Sequence, residues 1–258
     1  NLVVYGDYDV DGITATSLLY RFLVKMGARV SYYIPERQSE GYGLNLEALE
    51  HIISDGASLV ITVDCGISSY EIVEAIGDRI DIIITDHHTA PPQIPPARAV
   101  INHKQPDCPY TDKNLSGVGV AFKLCQALWL RQCGEWYLDD LDIVALGTVA
   151  DVVPLVGENR IIVQAGLKKM NELPNLGIDK LIDVAGLHDK TITAGHIGFT
   201  LAPRLNAAGR VTHATRAVEL LVTDDVDLAE TIAQELQETN MERQEIERSI
   251  HEEARTNV

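Results

Sequence analysis

No run in the chain approaches the ~18 consecutive apolar residues of a membrane-spanning helix, so none of its segments is expected to cross a membrane in that form. No signal peptide is expected ahead of the first strand. The four cysteines, Cys65, Cys108, Cys125 and Cys133, form no C-x-x-C pair, so structural zinc is not expected and free thiols in a reducing, cytoplasmic setting are. A Walker A pattern is missing, which removes the P-loop nucleotide sites. Basic residues are scarce. With 21 Lys and Arg against 38 Asp and Glu the formal net charge is −17, awkward for a nucleic-acid binder because phosphate contacts need Lys and Arg. An initiating Met is also missing and the first strand starts almost at once, so the chain is expected to be a fragment of a longer protein. What remains, 258 residues at 46% hydrophobic content, suffices for the α/β core of one large domain.

The most informative segment is Val3-Val4-Tyr5-Gly6-Asp7-Tyr8-Asp9-Val10-Asp11-Gly12, where an apolar strand ends in three carboxylates at alternate positions. In extended chain Asp7, Asp9 and Asp11 share one face, and their mutual repulsion is relieved if divalent cations sit between them. A solvated acidic turn would account for the segment standing alone. A calcium-binding EF-hand would not, because the bidentate Glu required at loop position twelve is Leu18 here. Two further apolar runs end in the same way: 59–63 in Asp64-Cys65-Gly66, and 80–85 in Asp86-His87-His88. Asp151 lies in the apolar run 143–154, where a carboxylate is costly unless something cationic compensates it.

Strand 2–6, helix 13–26, strand 29–34, helix 46–54 capped by Asn45, strand 59–64, helix 69–76 and strand 80–85 alternate. That alternation predicts an α/β, doubly wound and mainly parallel sheet, whose ligands bind beyond the carboxyl ends of the strands. A proline-rich loop, 90–96, leads to Val100-Ile101-Asn102, and helices at 117–132, 139–149, 159–171 and 176–185 form a helical second half. Gly117-Val118-Gly119-Val120-Ala121-Phe122 misses a dinucleotide-binding fingerprint, with Phe122 where the third Gly belongs, and reads as close helix packing.

Together with Val63-Asp64-Cys65-Gly66-Ile67-Ser68, the run 145–155, and Leu201-Ala202-Pro203-Arg204-Leu205-Asn206-Ala207-Ala208-Gly209-Arg210, these motifs resemble the DHH phosphoesterase superfamily, within it the RecJ-type single-strand-specific exonucleases. The resemblance implies two divalent cations, Mn²⁺ or Mg²⁺. By motif position Asp9 would bind one, Asp11, His87 and Asp151 the other, and Asp64 would bridge them. Asp7 would join the first ion or orient its water. The resemblance places His88 near the scissile phosphate, against the alternative that it orients its neighbour. Tyr5 stands where the pyrophosphatase branch carries a metal-binding histidine.

For substrate, Arg204, Asn206 and Arg210 lie in a stretch, 196–216, with no acidic residue, and they match a RecJ-type block. Arg37, four residues before Gly41-Tyr42-Gly43, is a further phosphate contact by the same resemblance, and Tyr42 could stack on a base. The implied activity is 5′-to-3′ exonuclease action on single-stranded DNA in bacterial recombination and repair. Single-strand-binding protein and a helicase are the expected partners, and the cytoplasm the expected location. The alternatives are a phosphoesterase for oligoribonucleotides, cyclic dinucleotides or pyrophosphate, and a scaffold that has lost its ligands, disfavoured by the intact acidic positions. The catalytic domain is expected over 1–222. Residues 223–258 are expected to form a charged connector helix toward a further domain, with Leu228, Ile232, Leu236, Ile246 and Ile250 too thin a stripe to bury it.

Overall fold

The computed structural model describes residues 1–36, 40–41, 43–211 and 214–256, without the side chains of 208–211, 251, 253, 254 and 256. Five strands, β1 (Leu2–Tyr5), β2 (Val30–Tyr33), β3 (Leu59–Val63), β4 (Asp81–Thr85) and β5 (Ala99–Ile101), form one parallel sheet in the order β2-β1-β3-β4-β5. The chain moves outward from β1 to β2 and then crosses back to β3, so the winding direction reverses between β1 and β3. In doubly wound sheets a crevice opens at that reversal, outside the carboxyl ends of the two strands. Tyr5 is paired with Thr62, which brings Asp7 and Asp64 to the same end of adjacent strands.

Alternation along β1 sends Val4 to one face and Val3 and Tyr5 to the other. The smaller core, on the Tyr5 face, is closed by α2 (Leu46–Ser54) and α3 (Tyr70–Ile76). On the Val4 face lies α1 (Val10–Lys25), which buries Ile13, Leu18, Leu19 and Phe22 completely. Each such side chain contributes about 1.5–3 kcal/mol. Buried Thr14 and Ser17 satisfy their hydroxyls on the carbonyls of Val10 and Ile13, both at 2.8 Å. Against α1 pack α4 (Gly117–Cys133) and α5 (Leu141–Ala150), while α6 (Gly157–Glu172) packs on α5 and α7 (Leu176–Val184) packs on the helices that follow it. The short α8 (Ala194–His196) runs through a π-helical turn, Ile197–Leu201, into α9 (Ala202–Val211). Then come α10 (Ala214–Val222) and α11 (Val226–Thr256).

The 201–210 block is the end of the π-turn and helix α9. One expectation changes here. Helix α11, expected as a solvated connector, is not solvated along its length: Ala229, Ile232, Ala233 and Leu236 are buried against α7, α9 and α10, while Ile246 and Ile250 stay exposed. The small residues Ala229 and Ala233 widen the stripe that the large residues alone leave narrow.

Candidate metal centre

Helix α1 starts three residues earlier than the sequence reading, and this changes how the first carboxylates meet. Asp9 is the N-cap, in extended backbone, its side chain accepting from the Gly12 amide at 3.0 Å, and Asp11 already lies in the first helical turn. The three carboxylates therefore converge through a strand-to-helix turn, not along one face of an extended strand. Gly12 permits that turn, since a Cβ there would lie 2.5 Å from the Asp7 carbonyl oxygen.

Asp64 sits immediately beyond β3 at φ 61°, a left-handed conformation that Asp tolerates better than most residues. Its amide is anchored on the Thr85 carbonyl at 3.0 Å. Asp86, beyond β4, accepts from the amides of Ile67 (2.9 Å), His87 (2.7 Å) and His88 (3.0 Å) and from His88 Nδ1 (2.8 Å). It thereby fixes the orientation of the two histidines that follow it. Asp151 terminates α5.

These elements bring the acidic and imidazole groups into two adjoining sets whose ligand atoms lie within 4.8 Å of one another. Asp7, Asp9 and Asp64 form one set, and Asp11, His87 and Asp151 the other. His87 stands between Asp64 and Asp151, with Nε2 3.1 Å from Asp64 Oδ1 and Nδ1 3.7 Å from Asp151 Oδ2. A third set, Asp64, His87 and His88, shares members with both. The amino terminus of α4 closes the floor: the amides of Gly117 and Val118 donate to Asp11 at 2.5 and 2.8 Å. A Cβ on Gly117 would fall 2.4 Å from Asp64 Oδ1. The glycine run that misses a dinucleotide fingerprint thus serves as a close-approach surface for two carboxylates.

Electrostatics set the state of these groups. Burial, reinforced by Asp9, pushes Asp7 up to about 7. Burial and then neighbouring carboxylates hold Asp11 and Asp64 well above the ordinary range, in Asp11 against the two amide hydrogen bonds that oppose it. Asp151 is pushed up to about 6, by burial first and then by Asp9. His87 goes the other way, lowered to about 4 by burial and then by His88, so it is neutral and able to ligate at pH 7. The hydrogen bond to Asp86 raises His88, and the same contacts overcome the effect of burial to hold Asp86 below its usual range. Asp7 Oδ1, His87 Nδ1 and Asp151 Oδ2 are buried without a hydrogen-bond partner among the described residues. Orphaned oxygen and imidazole donors facing one crevice have the composition that Mn²⁺ and Mg²⁺ take, so the residues present fit such ions.

Of the other sequence-derived candidates, Arg204 and Asn206 have described side chains. Arg204 is half-buried, donating from Nε to Gln237 Oε1 at 2.8 Å and from Nη1 to the Thr200 carbonyl at 2.5 Å, which ties α9 to α11. Asn206 lines a cavity of about 190 Å³ shared with Val10, Ala150, Gly198 and Arg243. Val10 and Ala150 adjoin Asp9 and Asp151 in the chain, so this cavity lies beside the acidic crevice. Arg210 belongs to α9, but its side chain, like Arg37 and Tyr42 altogether, lies outside the described residues. Three contributors escaped the sequence reading: Asp86 as the holder of His88, the Gly117 and Val118 amides, and Asn102, whose Nδ2 donates to the His88 carbonyl at 2.9 Å. Only the α4 amides had a sequence signal, a capping Ser116 ahead of a glycine-rich start.

Known proteins resemble this chain in sequence and fold. The chain is 44% identical over 256 residues to the single-stranded-DNA-specific exonuclease RecJ of Bacillus subtilis (strain 168), covering 98% of this chain and 32% of that protein. It is 41% identical over 270 residues to the exonuclease of the same name from Escherichia coli (strain K12), covering 99% and 47%. The chain thus spans a third to about half the length of these curated relatives. Among solved structures, exonuclease RecJ bound to manganese superposes with a TM-score of 0.88 at 36% identity, over 96% of this chain and 63% of that one. RecJ from Thermus thermophilus in complex with Mn²⁺ gives 0.84 at 35%, over 96% and 36%. Residues 1–148 match the DHH family, N-terminal domain, and the chain belongs to that family.

Proposed function

We propose that this chain is the catalytic core of a metal-dependent phosphodiesterase that degrades single-stranded DNA from the 5′ end. The observation that carries the reading is the pair of adjoining donor sets, Asp7, Asp9 and Asp64 beside Asp11, His87 and Asp151, at the point where the sheet winding reverses. One divalent ion would be held by the first set and one by the second, with Asp64 shared between them. When bound, two such ions supply an activated water and neutralise charge on the departing oxygen.

The chain's own groups account for the rest. Asp86 keeps His88 oriented and raises its proton affinity, which suits an imidazolium that donates to a phosphate oxygen at the crevice mouth. His87, neutral, offers a lone pair. Arg210 and Arg37 would grip the strand's phosphates, with Asn206 and Tyr42 as polar and stacking contacts. Arg204 is the weaker candidate because its guanidinium is committed to Gln237 and Thr200. Single-strand-binding protein and a helicase would present such strands in the bacterial cytoplasm. Named RecJ relatives that share the whole length of this chain support single-stranded DNA over the small phosphoesters as the substrate.

The test is a side-by-side assay with Mn²⁺ of a 5′-phosphorylated oligothymidylate, the same strand in duplex, a cyclic dinucleotide and pyrophosphate. Release of mononucleotides from the single strand, abolished by a chelator, is expected. Faster turnover of the cyclic dinucleotide or of pyrophosphate would move the assignment to a small-substrate phosphoesterase.

A further inference from the structure

Strands β1, β3 and β4 supply the acidic and imidazole groups of the centre, and the next strand in the sheet, β5, ends in Asn102-His103-Lys104, to which the function above assigns nothing. That tip is locked onto the centre. Buried Asn102 donates to the His88 carbonyl at 2.9 Å and accepts from the Lys104 amide at 2.7 Å, so one side chain fixes both the second histidine and the start of Lys104.

His103 is buried, and both its ring nitrogens lack a hydrogen-bond partner among the described residues. A buried N–H left unpaired is unfavourable, and a ligand oxygen would satisfy it. Lys104 is half-buried and makes no ion pair among the described residues. Its charge reaches the centre: after the larger effects of burial, of His88 and of the carboxylates Asp86 and Asp9, it pulls down the pKa of both His87 and Asp151. In a chain of net charge −17, a positioned and unpaired ammonium at the rim of an acidic crevice is the complement a phosphate needs.

We propose that Lys104 and His103 form an oxyanion subsite on the β5 side of the centre that binds a phosphate oxygen of the substrate, Lys104 through its charge and His103 through its ring N–H. The inference deepens the proposed function and rests on a phosphate-bearing substrate.

Its test uses the whole chain in Mn²⁺ with two probes, thymidine 5′-monophosphate and a single-stranded oligothymidylate. Lys104→Met is expected to weaken nucleotide affinity about tenfold and to lower the log–log salt slope of oligonucleotide binding by about 0.7, with Mn²⁺ affinity no lower than in the unmutated chain. Lys104→Arg should restore most of the loss, and Lys104→Gln serves the same comparison should Met perturb folding. His103→Leu separates binding from packing: nucleotide affinity should fall while the melting temperature holds or rises. The subsite is overturned if the folded Lys104 variants bind both probes like the unmutated chain, or if the unmutated chain binds no nucleotide at millimolar concentration. A chain that degrades no single-stranded DNA, but loses nucleotide affinity with Lys104→Met, would keep the subsite and discard the substrate. Normal DNA degradation by Lys104→Met, with unchanged binding, would do the reverse.

Discussion

Metal binding should stabilise this protein strongly at pH 8 and hardly at all at pH 5. The reason lies in Asp7 and Asp151, whose carboxyls are raised from 3.8 to about 7 and about 6 in the folded, metal-free chain. At 1.36 kcal/mol per unit, ionising them in place costs about 4 and about 3 kcal/mol relative to the unfolded chain. A raised carboxyl holds its proton longer when folded, so stability without metal falls as pH climbs from 3.8 through these values. His87, lowered from 6.5 to about 4, acts in the opposite sense between those limits, because there the unfolded chain holds the extra proton. Two carboxyls against one imidazole leave the net direction downward, and from pH 6.5 to 7 Asp7 acts without that opposition. A divalent ion needs the carboxylates ionised, so protons compete with it. Mn²⁺ at one hundred times its dissociation constant at pH 8 adds about 3 kcal/mol, or roughly 5–10 °C in melting temperature for a chain of this size. At pH 5, two units below Asp7, the apparent affinity falls about a hundredfold and the gain shrinks to about 0.4 kcal/mol, near 1 °C. Calorimetric melts with Mn²⁺ held at one concentration, at both pH values, measure this directly. An equal increment at pH 5 and pH 8, or none at either, would refute the electrostatic reasoning.

Asp64→Ala and Asp151→Ala should each abolish Mn²⁺-dependent hydrolysis while circular dichroism stays that of the unmutated chain. Both side chains lie at element ends beside the crevice and not among the apolar residues of either core. Gly117→Ala should weaken Mn²⁺ affinity at least tenfold in titration calorimetry, since its Cβ would need the space that Asp64 occupies. Asp86→Asn should lower the His88 pKa toward its ordinary value, visible in the imidazole proton resonances, because the Asp86 carboxylate is the main group raising it. Arg210→Ala should reduce the salt slope of single-strand binding by about 0.7 and leave Mn²⁺ affinity untouched.

The acidic centre was legible in the sequence because each contributor terminates an apolar strand or run, and such termini meet in one crevice when the sheet is parallel. Asp64 and His87 follow directly from that rule. The turn at Asp9 was less visible: alternating carboxylates look the same whether the chain stays extended or enters a helix, and only the N-cap hydrogen bond from Gly12 distinguishes them. The packing of α11 was misjudged for a different reason, since Ala229 and Ala233 bury by closeness and carry little hydrophobic signal. The helical state of 201–210 was hidden by Pro203 and Gly209, which usually interrupt helices but here fall within α9. The role of Asp86 was only half visible: its contacts to the His87 and His88 amides and to His88 Nδ1 are local, but its anchor on the Ile67 amide depends on how β3 and β4 end side by side.

The central claim is that Asp64 joins two ion sites into one centre. Counting Mn²⁺ per chain at saturation by equilibrium dialysis at pH 8, in the unmutated protein and in Asp64→Ala, tests it most directly. Two ions per unmutated chain, and at most one weakly held ion in Asp64→Ala, are expected. A single ion at saturation in the unmutated chain, or two in Asp64→Ala with undiminished affinity, would contradict the account.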